Sequence, residues 1–344
     1  ATGTARISQY QSKPKLLISH TSRLFCTTGD TTLPPDTLYA SDILDGDSWD
    51  LVTNSFQVGG DGDPIVALHP WYNFLLLVFK ERSVYVVNCD PTVAVVDWEV
   101  RLVNNRQGCV SWRSVQTVGA DVVFQTRDGL RSVRSINQGE QNDVSDPISA
   151  PINDVIQRIN PAVLSVSAGV YYKNLYLLSV PLDSAVTPDH VLPFRAQFQA
   201  WPGLWTGWTP RCFTVAAFNG KPELYFGDQS GRILKWNDIN ANNAEQAADY
   251  EDYGAGYESY LIGRAFNYNE PFSDKHGVLS EFAYATGAVA PTGLTFTMLK
   301  DLSNSETALG TVTASANQNY ARKSYNLNSK GKFALAQFKI KASS

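Results

Sequence analysis

The chain has 344 residues, of which 43% are apolar and 18% charged, and its formal net charge is −5. That acidic balance excludes a protein that grips nucleic acid through a broad basic face and one held to a membrane by a polybasic anchor. At about 150 residues per domain the length predicts about two domains, or one large all-β domain.

The longest unbroken apolar run is six residues, Phe74 to Phe79, against the ~20 that a membrane-spanning helix needs. No charged-then-apolar leader pattern stands at the start. The chain begins at Ala1 and holds one methionine, Met298, so it is expected to be processed or the ordered part of a longer one. Cys26, Cys89, Cys109 and Cys212 lie far apart with no CxxC pair. They predict buried free thiols rather than a zinc site or a disulfide framework. The 40 aromatic residues (16 Phe, 16 Tyr, 8 Trp), with abundant Val and Thr, make a strand-forming composition.

A strand-like apolar run recurs near Leu24, Leu75, Val122, Leu175 and Leu224, at steps of 51, 47, 53 and 49 residues. Most runs are followed by a turn and a second short strand. Asn73 to Arg82 leads into Ser83–Asn88, and Asp121–Thr126 turns at Arg127-Asp128-Gly129 into Leu130–Ile136. Glu223–Gly227 turns at Asp228 to Gly231 into Arg232–Trp236. The Asp-Gly and Ser-Gly turns supply the positive φ of a tight hairpin. A period near ~50 residues with several strands per unit predicts propeller blades, because a lone blade cannot bury both faces. A β-sandwich, the rival, repeats strands at ~8–12 residues without a longer period.

Between the third and fourth runs, Ile152, Val155, Ile156 and Ile159 share a helical face. Asn153 is a candidate cap and Pro161 the stop. After Trp236 the chain turns polar and Asn-rich. Ser259–Phe266, Val278–Tyr284, Leu294–Leu299 and Phe333–Ile340 then alternate like half-buried strands. The prediction is an all-β chain. Residues 1–240 form a β-propeller of about 5–7 blades and 241–256 a linker. Residues 257–344 form a C-terminal β module, either sandwich-like or completing the propeller as a further blade.

Enzyme constellations are thin. His20, His69, His190 and His276 have no metal spacing, and His69 precedes Pro70-Trp71 in an apparent turn. There is no GxSxG elbow and no phosphate loop, and the Gly-rich Val58–Asp63 stretch does not open a helix. Asp45, Asp47, Asp61 and Asp63 could present carboxylates to Ca²⁺ or to a glycoside, but Asp and Gly dominate turns for geometric reasons. Trp201, Trp205 and Trp208 would stack on sugars if exposed, or fill the wedge between two blades if buried. No catalytic, cofactor-binding or metal-binding residue is expected.

Several phrases in order resemble a known family. They are Ser22-Arg23-Leu24-Phe25 with Leu38-Tyr39-Ala40-Ser41-Asp42, then Gly60–Ile65 with Leu77–Tyr85. Gly108-Cys109-Val110-Ser111 follows, with Asp128-Gly129-Leu130, and last Leu224–Asp228 with Gly231. Over residues 20–240 the chain resembles the β-propeller tail hub or nozzle proteins of short-tailed bacteriophages, which include packaged-DNA stabilisation proteins. The resemblance implies a structural virion protein made in the host cytoplasm, without enzyme activity or cofactor. It implies a homo-oligomeric ring, hexameric by expectation, beside portal and tail proteins. Double-stranded DNA would pass through it without sequence-specific binding. The acidic balance agrees, since an acidic wall repels phosphates. Two alternatives stay open, a carbohydrate-binding or glycoside-cleaving propeller and a cellular protein-interaction propeller.

Overall fold

A computed structural model of the chain describes residues 14–29, 32–134, 147–218 and 220–236. Beyond those it describes 251–252, 255–256, 258–262, 279–284, 293–301, 303, 305–313, 315, 321–330 and 332–343. The chain divides into two compact units, Ala1–Trp236 and Asn237–Ser344.

Among the described residues the first unit holds five antiparallel sheets, laid down one after another. The first is β1 (Pro14–His20), β2 (Arg23–Thr28), β3 (Thr37–Ala40) and β4 (Ser55–Gln57). The second is β5 (Ile65–Trp71), β6 (Leu75–Lys80), β7 (Val84–Asn88) and β8 (Glu99–Asn104). The third is β9 (Gln116–Val118), β10 (Asp121–Thr126) and β11 (Gly129–Ser132), and the fourth β12 (Ala168–Tyr172), β13 (Leu175–Val180) and β14 (His190–Arg195). The fifth is β15 (Pro210–Phe218), β16 (Lys221–Asp228) and β17 (Ile233–Lys235). Within every sheet the strands pair in chain order.

The five apolar runs of the sequence are β2, β6, β10, β13 and β16, the second strand of each sheet. β6, β10 and β13 read as continuous apolar segments because both faces are covered, whereas β16 alternates between buried and partly exposed residues. Leu76 and Val78 of β6 join a core with Phe25 and Leu38 of the first sheet. Leu77 and Phe79 of the same strand join Val122 and Phe124 of the third. The pattern repeats along the chain: Val123 and Leu130 meet Tyr176 and Leu178, and Leu177 meets Leu224. Each fully buried side chain contributes ~1.5–3 kcal/mol, so the second, third and fourth sheets are each held by a neighbour on both sides. The unit is a β-propeller, with five blades among the described residues. Among the described residues no strand pairing joins the fifth sheet to the first.

The turn between first and second strands repeats too. Thr21 and Ser22, Asn73, Gly119, Lys173 and Asn174, and Gly220 all have φ between 45° and 75°. That conformation matches the twist of tight hairpins.

The helix expected at 152–159 is shorter than its periodicity suggests. Only Asn153–Ile156, α1, is α-helical, preceded by a 3-10 turn at Ala150–Ile152. Asn153 lies inside it and does not cap it. Instead the Asn160 side chain accepts from the Ala162 N–H, opening the next turn. The segment is expected to pack on the propeller edge, but Ile156 and Ile159 are buried in the core between the third and fourth sheets.

The second unit contains a four-stranded sheet, in the order β20 (Glu258–Ile262), β25 (Ala336–Ser343), β22 (Gly293–Lys300), β23 (Glu306–Val312). A pair, β21 (Leu279–Tyr284) with β24 (Ala321–Asn326), packs against it through aromatic rings. Phe282 of β21 lies 4.6 Å from Phe296 and 5.5 Å from Phe338, ring centre to ring centre. Tyr325 of β24 lies 5.5 Å from Phe296. Met298, Leu327, Phe333 and Ala336 fill the core. Residues 241–256, read as a linker, carry a short ladder between β18 (Glu251–Asp252) and β19 (Ala255–Gly256). Residues 241–250 lie outside the described residues.

Candidate functional site

The first strands of the five sheets converge on a cavity of about 360 Å³ along the propeller axis. Lys15 and Leu17 of β1 line it, with Leu68 of β5, Ala168 of β12 and Cys212 of β15. The third sheet contributes the turn leading into β9, with Trp112 and Arg113, and then Gln116. Most of the lining side chains are apolar, while close to half of the open wall belongs to polar atoms. Trp112 and Leu17 keep half or more of their surface open, 51% and 60%. The charged residues of the lining are Lys15 and Arg113, both cations. The Arg113 guanidinium sits 4.7 Å from the centre of the Trp112 ring, a stack that orients its donors. Among the described residues neither cation forms an ion pair. Sequence reading missed this site because its walls come from five segments about 50 residues apart.

Cys212 corrects one expectation. Cys26, Cys89 and Cys109 are buried free thiols, but Cys212 is exposed. It stands across from Gly227 and, beyond it, Ile233, on the face of the fifth sheet that leaves Ile233 82% exposed. Burial pushes Cys89 and Cys109 up to about 12.

The Gly-rich acidic stretch has a structural task. Lys80, at the end of β6, is fully buried, and Asp61 and Asp36 flank its ammonium. Asp36 is also buried and accepts the Gly62 N–H at 3.1 Å. Asp61 is half exposed and accepts from Lys80 and from the Asp63 N–H. Burial alone would push Asp61 up, but the hydrogen bonds and charge of Lys80 hold it below the usual carboxylate range. Asp63 accepts the Arg82 N–H at 3.0 Å. Asp45 accepts the Asp47 N–H at 3.0 Å, an Asx turn. The four acids do not converge, and among the described residues no cluster of three metal-ligating side chains occurs.

The structure splits the tryptophan cluster: Trp205 and Trp208 lie in the wedge between the fourth and fifth sheets, and Trp201 in the core between the third and fourth. Trp205 and Trp208 are half-buried and each stands 5.6 Å from Trp236, while Trp208 also lies 5.0 Å from Phe226. Trp201 stacks on Phe194 at 4.9 Å and donates to the Ile148 carbonyl. Mutual backbone bonds between Trp205 and Val191 lay this segment along the edge of the fourth sheet.

His69 is not in a turn. It lies within β5, where the inner edge of the sheet tolerates Pro70. Its Nε2 is 2.7 Å from the Thr117 hydroxyl of the next sheet, and burial lowers its pKa to about 4. His20 is also lowered by burial. His276 lies outside the described residues. Other bonds tie consecutive sheets: the Tyr172 hydroxyl donates to the Pro222 carbonyl, and Tyr176 to that of Ser114.

No family model matches the chain, and no curated protein matches it. Among solved structures, it overlaps a chain of BBS1N in complex with ARL6DN at TM-score 0.37 and 10% identity. That overlap covers 64% of this chain and 62% of the other. A chain of the Mitotic Checkpoint Complex overlaps at TM-score 0.33 and 12% identity, covering 64% of each. An exo-beta-1,3-galactanase from Phanerochaete chrysosporium, holding beta-1,3-galactotriose, overlaps at TM-score 0.29 and 10% identity, covering 95% of each. These overlaps are too loose to carry an argument about function.

Proposed function

We propose that this chain is a structural protein of a bacteriophage tail, a hub or nozzle subunit. It works by assembling into a ring that extends the portal channel and helps retain or deliver packaged DNA. The reading rests on the ordered phrases shared with that family. In this fold they are the parts that build the blades: Leu24-Phe25 opens β2, Leu77–Tyr85 is the β6–β7 hairpin, and Leu224–Asp228 lies in β16. Gly108 and Cys109 brace the Lys80 turn. A stiff array of sheets suits a building block. The face of the fifth sheet that carries Ile233, 82% exposed, and the Glu223–Lys235 pair is open to a neighbouring subunit. The net charge of −5 suits a wall past which DNA slides.

The carbohydrate reading loses its main support, because Trp201, Trp205 and Trp208 pack against other aromatic rings. Native mass spectrometry and negative-stain imaging of the purified chain test the proposal. A closed ring of about six copies is expected, as cyclic homo-oligomers close on themselves. A chain that stays monomeric at high concentration, both alone and with a portal ring, would overturn it. Specific retention on a glycan array would favour the alternative.

A further inference from the structure

We propose that the axial cavity is a binding site for an apolar carboxylate, a carboxyl group carried on a hydrocarbon body. Arg113 and Lys15 receive the carboxylate, and Leu17, Leu68 and Trp112 hold the body. The inference is independent of the virion reading.

Three observations carry it. First, among the described residues the cavity is lined by two cations and no acid. Elsewhere in the same unit Lys80, Arg131, Arg158, Arg232 and Lys235 each face a carboxylate. Two unmatched positive charges in an apolar concavity make a focused attraction for an anion. Second, Arg113 is stacked on Trp112. Its planar fork is therefore held before a ligand arrives, which lowers the ordering cost of a bidentate contact. Third, Leu17, Leu68 and Trp112 give the cavity an apolar, partly uncovered side, and the volume of about 360 Å³ is that of a small-molecule pocket.

The walls also choose among anions. A sugar phosphate would set hydroxyl groups against Leu17, Leu68 and Ala168, which offer no hydrogen bond. Gln116 is the neutral polar side chain with amide donors in the lining. A hydrocarbon ending in one carboxylate brings no hydroxyl to these apolar side chains. Two sources have this chemistry, a polypeptide C-terminus with apolar last residues and a free medium-chain acid.

Cys212 lines the cavity, and its thiol is the exposed one of four, so it reports occupancy in place. The full chain is treated with N-ethylmaleimide, and labelling of Cys212 is followed by mass spectrometry, with the three buried cysteines as internal controls. Octanoate at millimolar concentration is expected to slow labelling by about threefold or more, and octanamide to leave it unchanged, since charge-assisted bonds are the stronger ones. The exposed double variant Lys15→Gln, Arg113→Gln is expected to label at the unprotected rate with or without octanoate. Equal protection by octanamide or by acetate, protection that persists in the double variant, or no protection at all would overturn the proposal. A Gly-Leu-Phe peptide, compared with its C-terminal amide, separates the sources. Protection by the free-acid peptide at about tenfold lower concentration than octanoate, a difference of ~1.4 kcal/mol, assigns a polypeptide end. The reverse order assigns a free acid.

Discussion

Gly108 lies directly against the backbone of Lys80. A β-carbon built on Gly108 would stand 2.3 Å from the Lys80 carbonyl oxygen and 2.5 Å from the Arg82 nitrogen. The next residue, Cys109, donates its N–H to that same carbonyl at 2.8 Å. The approach is backbone on backbone, so no side chain can move to make room.

The variant Gly108→Ala is therefore expected to lose about 3 kcal/mol or more, in the range of severe overpacking. Chemical denaturation would measure it. A midpoint equal to the parent's would mean that the β6–β7 turn is softer than described.

Lys80 and Asp36 are exposed by 0% and 1%, whereas Asp61 is 44% exposed. Removing one partner of a buried pair costs ~3–5 kcal/mol, so Lys80→Met and Asp36→Ala should each destabilise by about that amount. Asp61→Asn should cost less, about 1 kcal/mol, because water can replace it. These losses should be identical in EDTA and in Ca²⁺. A Ca²⁺-dependent difference would restore the cation reading of the Gly-Asp-Gly-Asp stretch.

Trp205→Ala and Trp208→Ala remove half-buried rings from the core between the last two blades. Each should destabilise the first unit by roughly 2–4 kcal/mol. Thermal unfolding followed by tryptophan fluorescence would register the loss. A variant of unchanged stability that had lost a glycan ligand would show that the cluster serves recognition.

His69 gives a pH dependence of definite sign. Its folded value, about 4, lies below the ordinary 6.5 because burial disfavours the charged ring. The unfolded chain therefore takes up this proton first as pH falls. The stabilisation is complete above about pH 6.5 and drains away as pH drops toward 4. Partial exposure limits it to on the order of 1–3 kcal/mol. His69→Gln should remove this component, so the stability gap between parent and variant should narrow from pH 7.5 to pH 4.5. Asp61, Asp128 and Asp228 are held below the usual carboxylate range, and they titrate in both proteins alike. A gap that stays constant across the range would rule the assignment out.

The blades were legible in the sequence through their second strands. β6, β10 and β13 are apolar on both faces, so Leu75 to Phe79 and its counterparts stand out with a period near 50. The first strands were not legible. β1 and β15 turn one side to the axial cavity and mix Lys15 or Arg211 with apolar residues. The C-terminal strands showed their alternation, but β23 and β24, rich in Thr, Ser and Lys, did not. The Trp201 to Trp208 cluster was visible as a cluster, yet only its partners Phe226 and Trp236 identify it as core. Arg113 beside Trp112 was visible too. What one dimension hides is that Lys15, nearly 100 positions earlier, faces the same cavity.

Each interior of the propeller unit is shared only by sheets adjacent in the chain. Contacts are thus short in sequence for an all-β molecule, and assembly need not wait for distant segments to meet. A nascent polypeptide leaving the ribosome can seal each finished sheet onto its predecessor, one increment at a time. At every stage the newest sheet presents one unfinished face in need of protection.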